Sequence, residues 1–575
     1  MPIEIKPGMN RAGEITLVVK NGKQFQPDLN ILSQASPFFE KLLSNDMKER
    51  NEGVIRLQTI TDSQMAEVLQ FIYSSSVQIT SKENAEKLIE TAGFLLLSNL
   101  KTIAGKFLEQ HITTETCISM NYLAEQYSVE ELVASTRKFI NSNFTTVASS
   151  KAFLNLPSSE VEKWISSDEI VIDAEENVLE IILKWIDHNK SERSGKFSEL
   201  FGHVRLTCVS RDYLLSHVVT NDLVKENADC LDSVTGALEW LHRPTDCDVP
   251  RPHSPRKALT LHVIVIADCR GGLQPCIYLP ATDGWYLLPA TKSQRLNAME
   301  HIVSCRGKVF FITNDFARSQ CYDPDLNCWS PAPWTADHLP FSAGTPLVAE
   351  DRIYFVVEET SSTSLWTYSL DSNWLTPLHN WVERTQFCAV TEDNYIYVIG
   401  GGVKNTGESV SECARFDTEE NKWQKIAPLN EARQNAFGVC KSEKVFIAGG
   451  LLMGEGELEY LYTSEVYNKL TDEWQFIAGK TLRRAFGSMV LIDETVYVLG
   501  VDEKQLCSCL ACIMKYRAKV ECYNPATDEW NVKTTVPVNK MISEKTDELP
   551  YVFQACPLRI FKGVLTNLES IAESD

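Results

Sequence analysis

Residues 395–433 contain Tyr395-Ile-Tyr-Val-Ile-Gly-Gly-Gly402, then Arg415-Phe-Asp, then Trp423, then Pro428-Leu-Asn-Glu-Ala-Arg433. Five aromatic and β-branched residues in a row favour a strand, and the glycines that follow allow a turn closed to other residues. An aromatic-ended second stretch precedes a tryptophan, and a proline-containing turn leads on. The same order recurs along the chain. Tryptophans at Trp285, Trp329, Trp374, Trp423, Trp474 and Trp530 stand 44 to 56 residues apart. Before each comes an aromatic or apolar strand ending: Tyr278-Leu-Pro, Cys321-Tyr-Asp-Pro, Trp366-Thr-Tyr-Ser, Arg415-Phe-Asp-Thr, Val466-Tyr-Asn-Lys and Cys522-Tyr-Asn-Pro. Further upstream lie β-rich runs at Val309–Ile312, Ile353–Val357, Tyr395–Ile399, Val445–Ala448 and Val496–Leu499, two of them leading into Gly401-Gly402 and Gly449-Gly450. A period of this length is a repeat signature. One small sheet cannot bury both of its faces, so six of them arranged radially, with a large aromatic filling each gap, is the expected solution.

Upstream of the repeats the period changes. His242–Pro255 holds four prolines, which deny both helix and central strand and predict an extended linker. Before it the pattern is mostly helical. Met65, Val68, Leu69 and Ile72 fall on one helix face, and Val178, Leu179, Ile181, Ile182, Trp185 and Ile186 form a second stripe. Asp173-Ala-Glu-Glu176 reads as an Asp version of a capping box opening that second helix, and Ser36-Pro37 as another helix start. Glu14–Lys20 and Val54–Leu57 read as strands of a small sheet.

The whole chain of 575 residues carries a formal net charge of −22, which opposes binding to nucleic acid and to anionic membranes. Its longest apolar runs, such as Gly93–Leu97 and Val263–Ala267, are far below the roughly 18 residues of a membrane span, and Met1–Asn10 has no apolar signal core. Seventeen scattered cysteines, an odd number, read as reduced thiols of a cytoplasmic protein, with the nucleus as the second compartment. No G-x-x-x-x-G-K-[ST], H-E-x-x-H or G-x-S-x-G occurs, so no catalytic site and no cofactor is expected.

The tryptophan repeats resemble kelch repeats, and residues 258–575 are expected to form an all-β six-bladed propeller. Thr313-Asn314, Glu358-Glu359 and Gly500-Val501 stand where the double glycine has eroded. Gln554–Leu565 resembles the lone strand that in this family pairs into the first blade and closes the ring, leaving a short C-terminal tail. Glu14-Ile-Thr-Leu-Val-Val, Phe25, Ile31-Leu32, Ser36-Pro-Phe-Phe39, Met47-Lys-Glu49 and Leu69-Gln-Phe-Ile-Tyr73 resemble an α/β BTB domain, here residues 1–112. Phe153–Pro157, Ser167–Glu169, Trp185–His188 and His203–Leu206 resemble an all-α BACK domain at 113–242, followed by the linker at 243–257. The order is that of the kelch-like family.

That resemblance implies a noncatalytic adaptor of a cullin-3 RING ubiquitin ligase, in which BTB and BACK hold the cullin and the propeller holds the protein to be ubiquitinated. Met47 and Glu49 match the family's cullin contact, with Tyr73 as a further candidate. The alternative for Met47 is a loop residue covering the local core, and for Tyr73 a buried ring with a tethered hydroxyl. A BTB homodimer is expected but weakened: Glu14 and the Pro27-Asp28-Leu29 stretch depart from the family pattern, and only 13 residues precede Glu14. Substrate contacts map onto Arg295, Asn297, Arg384, Gln386, Arg433, Asn435 and Arg483, where arginine would suit acidic peptides. Equally, the first arginine of each set could only tie blades together.

Cys507, Cys509 and Cys512, with Cys522 beyond, lack the paired spacing that zinc needs, so no metal is expected; a thiol-based sensor stays open, since Lys504, Lys515 and Arg517 could activate them. A cytoskeletal scaffold is the other alternative to the ligase adaptor. The identity of the substrate does not follow from the fold.

Overall fold

The computed structural model describes residues 15–43, 53–242, 251–268, 273–290, 299–313, 318–334, 345–358, 363–372, 374–381, 384–454, 457–478, 487–501, 518–541 and 553–571. It divides into two compact units, residues 1–241 with 253–259, and residues 242–252 with 260–575.

The first unit opens on a three-stranded sheet. Thr16–Val19 lies between Gln24–Phe25, antiparallel, and Val54–Leu57, parallel. Helices cover it. Ser36 caps the helix Pro37–Leu42, its hydroxyl accepting from the N–H groups of Phe38 and Phe39 with proline at the first position. Helix Asp62–Ser74 buries Met65, Val68 and Leu69 and carries a reciprocal capping box between Thr61 and Gln64 that the periodicity alone did not reveal. The N-cap of the helix expected to open at Asp173 falls two residues later, at Glu175. Helix Glu176–His188 has no side-chain cap, although its six expected apolar residues are all buried.

Glu175, just before that helix, is fully buried for another reason. Its carboxylate receives Arg256, also fully buried, whose Nε and Nη2 lie 3.0 and 2.9 Å from its oxygens. Arg256 also donates to the carbonyls of Ser167 and His203. The end of the proline-rich stretch is therefore not a free spacer. Two ions taken from water need each other, and here every Arg256 nitrogen has an acceptor.

Among the described residues, the second unit is built around six antiparallel sheets of four or five strands. Listed from the innermost strand outward, the first is Phe553–Phe561, Thr260–Asp268, Cys276–Leu279 and Gly284–Leu287. The second runs from Met299–Cys305 to Cys328–Pro331, the third from Thr345–Ala349 to Trp374–Trp381, and the fourth from Cys388–Glu392 to Lys422–Ile426. The fifth runs from Phe437–Lys441 to Glu473–Ile477 and the sixth from Gly487–Ile492 to Glu529–Thr535. Each innermost strand touches those of both neighbouring blades, and the sixth touches the first, so the ring is closed. Among the described residues, one apolar cluster fills each of the six junctions between blades.

Closure uses the strand expected near 554–565, which pairs along its whole length with Thr260–Asp268. A further short strand, Glu569–Ser570, adds outside the first blade, and the Ile571 N–H bonds the Trp285 carbonyl. The β-rich runs, such as Tyr395–Ile399, are each second from the axis.

The tryptophan rule needs one correction. Trp285, Trp474 and Trp530 are buried, and Trp329 and Trp423 pack against the junction clusters. Each pairs across its hairpin with an aromatic: Tyr278, Tyr322, Phe416, Tyr467 or Tyr523. Trp329 and Trp474 also donate their indole N–H to the carbonyls of Pro289 and Ala427 in the preceding connection. In the third blade the partner of Tyr368 is Leu375, and Trp374, one residue early, is 67% exposed. The space a tryptophan would fill there is taken by Trp334, edge-on to Tyr368 and Phe355.

Candidate binding surfaces

On the first unit, Met47 and Glu49 lie outside the described residues. Tyr73 does not: it stands near the end of helix Asp62–Ser74 with 45% of its surface exposed. Its hydroxyl accepts the Asp28 N–H at 2.8 Å. The hydroxyl is tethered, but the ring is not buried. Asp28, unusual for the resembled family, is an N-cap here, its carboxylate taking the N–H groups of Asn30 and Ile31. Tyr73 thus clamps the residue that starts the helix Leu29–Ala35. The apolar run Gly93–Leu97 splits. Leu95 and Leu97 are buried, while Phe94 and Leu96 are 48% and 52% exposed, and Phe94 packs on Phe38. Leu96 takes a left-handed conformation, φ 54°, which turns its side chain outward.

On the second unit, the segments ahead of the fourth and fifth inner strands share one design. Arg433 is fully buried. Its Nη1 donates to the carbonyls of Gly449 and Thr463, and Nη2 reaches the buried carboxylate of Glu465 at 2.7 Å, with Glu431 at 3.3 Å. Glu465 is satisfied as well, by the N–H groups of Asn430 and Glu431 and the Asn430 amide. Arg384 repeats the arrangement at 8% exposure, donating to the carbonyls of Gly400 and Glu412. Its carboxylate partner is the outward-lying Glu412 at 3.4 Å, because Ala414 occupies the position of Glu465. Both guanidinium groups are thus committed inside the blades, and in this arrangement neither offers a fork to an acidic peptide.

The glycines explain how close the backbones come. Gly450 has φ 93°, and a Cβ there would fall 2.6 Å from the Gln434 carbonyl. Gly401, φ 108°, would meet Thr385 in the same way. Only glycine fits these approaches. The pair with positive φ in the fourth blade is Gly400-Gly401, one residue earlier than the sequence pattern placed it.

What remains outward on this face is amide chemistry. Gln386 and Asn435, at equivalent positions of adjacent blades, both adopt left-handed backbone with φ 55° and 53°. The Asn435 N–H bonds the Gln386 carbonyl at 2.7 Å, and its side-chain amide donates to the Gln386 side chain at 3.2 Å. Arg295, Asn297 and Arg483 fall outside the described residues, as do Cys507, Cys509 and Cys512. Burial makes several of the described thiols unreactive. Burial pushes Cys388 and Cys413 up to about 12 and Cys305 to about 11. Among the described residues there is no group of three or more ligating side chains that could hold a metal ion, and no helix is long and apolar enough to cross a membrane.

The comparisons agree with this division. The BTB/POZ domain model matches residues 10–112, the BACK (BTB And C-terminal Kelch) model residues 117–219 and the Kelch motif model residues 383–430. The chain is similar to Kelch-like protein 40 of Xenopus laevis, 24% identical over 547 residues, covering 93% of this chain and 84% of that one. It is 22% identical over 560 residues to Kelch repeat and BTB domain-containing protein 12 of Homo sapiens, covering 92% and 82%. Kelch-like protein 11 of Homo sapiens is 27% identical over 333 residues, 54% of this chain and 46% of that one. With a BTB domain, a BACK domain and a ring of kelch blades in that order, the chain has the domain organisation of the kelch-like family.

Proposed function

We propose that this protein is the substrate-recognition adaptor of a cullin-3 RING ubiquitin ligase, itself noncatalytic and acting inside the cell. The BTB and BACK domains hold the cullin through Met47, Glu49 and Tyr73, and the propeller holds the protein to be modified. The rate gain comes from proximity: a bound substrate is kept near a charged E2 rather than meeting it by diffusion.

The single observation that carries the reading is the joining of a BTB–BACK unit to a closed ring whose loop face carries Gln386 and Asn435, paired with each other across adjacent blades rather than buried within one. On that face we place substrate contact at Gln386 and Asn435, with Arg295, Asn297 and Arg483 as further contacts, and give Arg384 and Arg433 the role of holding those loops in position. A BTB-mediated homodimer is part of the proposal.

Affinity purification with mass spectrometry from cells in which cullin activity is blocked tests it. Wild type is expected to recover cullin-3 together with a stabilised client. Met47→Ala with Glu49→Ala should lose cullin-3 and keep the client. Recovery of cytoskeletal proteins without cullin-3 would favour the scaffold instead.

A further inference from the structure

The fifth blade carries an extra hairpin between its second and third strands. Leu451–Gly454 pairs antiparallel with Glu457–Tyr460, in register Leu451 to Tyr460 and Gly454 to Glu457. It belongs to the same face as Asn435, because Leu451 exchanges backbone hydrogen bonds with Gln434 in both directions, at 2.8 and 2.9 Å. Met453 is held likewise, its carbonyl accepting the Ser409 N–H and its own N–H donating to the Ser409 hydroxyl.

The second arm is open. In an antiparallel pair, successive residues turn their N–H and C=O groups to opposite sides. Leu451 and Met453 turn theirs toward Gln434 and Ser409, so Leu452 and Gly454 face the second arm and meet Glu459 and Glu457. Leu458 and Tyr460 therefore turn their N–H and C=O groups outward, and among the described residues these groups have no partner. The side chains alternate as well. Leu458, 47% exposed, and the half-buried Tyr460 lie on one side, and the exposed Glu457 and Glu459 on the other. Glu412, on the adjacent blade, adds exposed charge of the same sign at 66%, whereas Arg384 and Arg433 are buried.

We infer that the outer edge of Glu457–Tyr460 takes up an extended peptide as a third strand, and that the peptide alternates apolar with basic residues. The backbone groups of Leu458 and Tyr460 would supply the pairing, and the alternation of Leu458 and Tyr460 with Glu457 and Glu459 the selectivity. This rests on the reading that the loop face receives the substrate, and it replaces the acidic peptide that the arginines suggested with a basic one.

The test is fluorescence anisotropy of the full chain with three labelled decapeptides: alternating valine–lysine, alternating valine–glutamate, and alternating proline–lysine. The valine–lysine peptide is expected to bind at least tenfold more tightly than either of the others. Leu458→Pro removes an outward donor while leaving the bonds within the hairpin intact, so it should weaken that binding at least tenfold with an unchanged melting curve. Glu457→Gln with Glu459→Gln should weaken it to a similar extent. Equal binding of the proline–lysine peptide would reduce the effect to nonspecific attraction by an acidic chain and overturn the inference. Refusal of all three would show an edge guarded by its glutamates, and overturn it too. Either failure can occur while the chain still captures cullin-3, so it is separable from failure of the adaptor reading.

Discussion

Replacing Arg433 by alanine separates two roles that the sequence left open. In the structure the side chain has no exposed surface, and its guanidinium serves three carbonyls, the Thr463 hydroxyl and two carboxylates. Removing it strands Glu465, a fully buried carboxylate that keeps only the Asn430 and Glu431 donors. Breaking a buried ion pair from one side costs about 3–5 kcal/mol. For a unit of this size that corresponds to a fall in melting temperature of about 4–7 °C. Differential scanning calorimetry of the full chain measures it, with the transition of the BTB–BACK unit as internal reference. Adding Glu465→Leu to Arg433→Met should recover a good part of the loss, because a well-packed apolar pair carries no unpaired charge. An unchanged melting temperature for Arg433→Ala, combined with loss of client binding, would refute the bracing role and return Arg433 to the contact surface.

Other consequences follow from the same geometry. Trp374→Ala should change stability by no more than about 0.5 kcal/mol, whereas Trp474→Ala, which opens a cavity between the fourth and fifth blades, should cost about 3–5 kcal/mol in urea unfolding. Asp472 and Asp528 are held below the usual carboxylate range, first by the N–H groups of Ala427 and Ala478 and then by the hydroxyls of Tyr467 and Tyr523. A lowered folded-state pKa means stabilisation that is present above the unfolded value near 4 and lost as pH falls through the folded value. Asp472→Asn with Asp528→Asn should therefore flatten the acid limb of the stability profile, which fluorescence-monitored unfolding between about pH 5 and 2 would show. At pH 8, iodoacetamide should leave Cys305, Cys388 and Cys413 unmodified until the chain is unfolded, as peptide mapping would reveal.

Much of the fold was legible because the repeats have a physical cause that leaves a mark at each turn. The structure supplies a fuller version of that mark. Tyr278, Tyr322, Tyr467 and Tyr523 each donate a hydroxyl to Asp283, Asn327, Asp472 or Asp528, residues with positive φ in the hairpin turn two positions before the tryptophan. Applied to the third repeat, the spacing runs Tyr368, Asn373, Leu375, which singles out Leu375 and leaves Trp374 one residue out of frame. Counting tryptophans alone missed it. The closing strand was legible through the resemblance of Gln554–Leu565 to the lone strand that closes the ring in kelch proteins. The Glu569–Ser570 strand was not, since two polar residues carry no periodic signal.

The binding surfaces were harder to read for a different reason. Sequence shows that Arg384 and Arg433 are charged, not that they are buried; their partners are carbonyls and a glutamate inside a strand of another hairpin. Glu465, between the buried Ser464 and Val466, was the available clue. Arg256 was hidden in the same way, because prolines nearby imply an extended chain and say nothing of what one side chain reaches. The hairpin at 451–460 was masked by its glycines and glutamates, which read as loop. Phe94 and Leu96 were invisible because a run of apolar residues does not declare which of them a left-handed turn will expose.

The adaptor reading stands or falls on capture of the cullin. Size-exclusion chromatography with light scattering, on purified chain mixed with the amino-terminal part of cullin-3, measures that without cells or clients. A complex with one cullin per chain, abolished by Met47→Ala with Glu49→Ala at unchanged melting temperature, is the predicted result. Separate elution of the wild-type chain and the cullin at micromolar concentrations would contradict it.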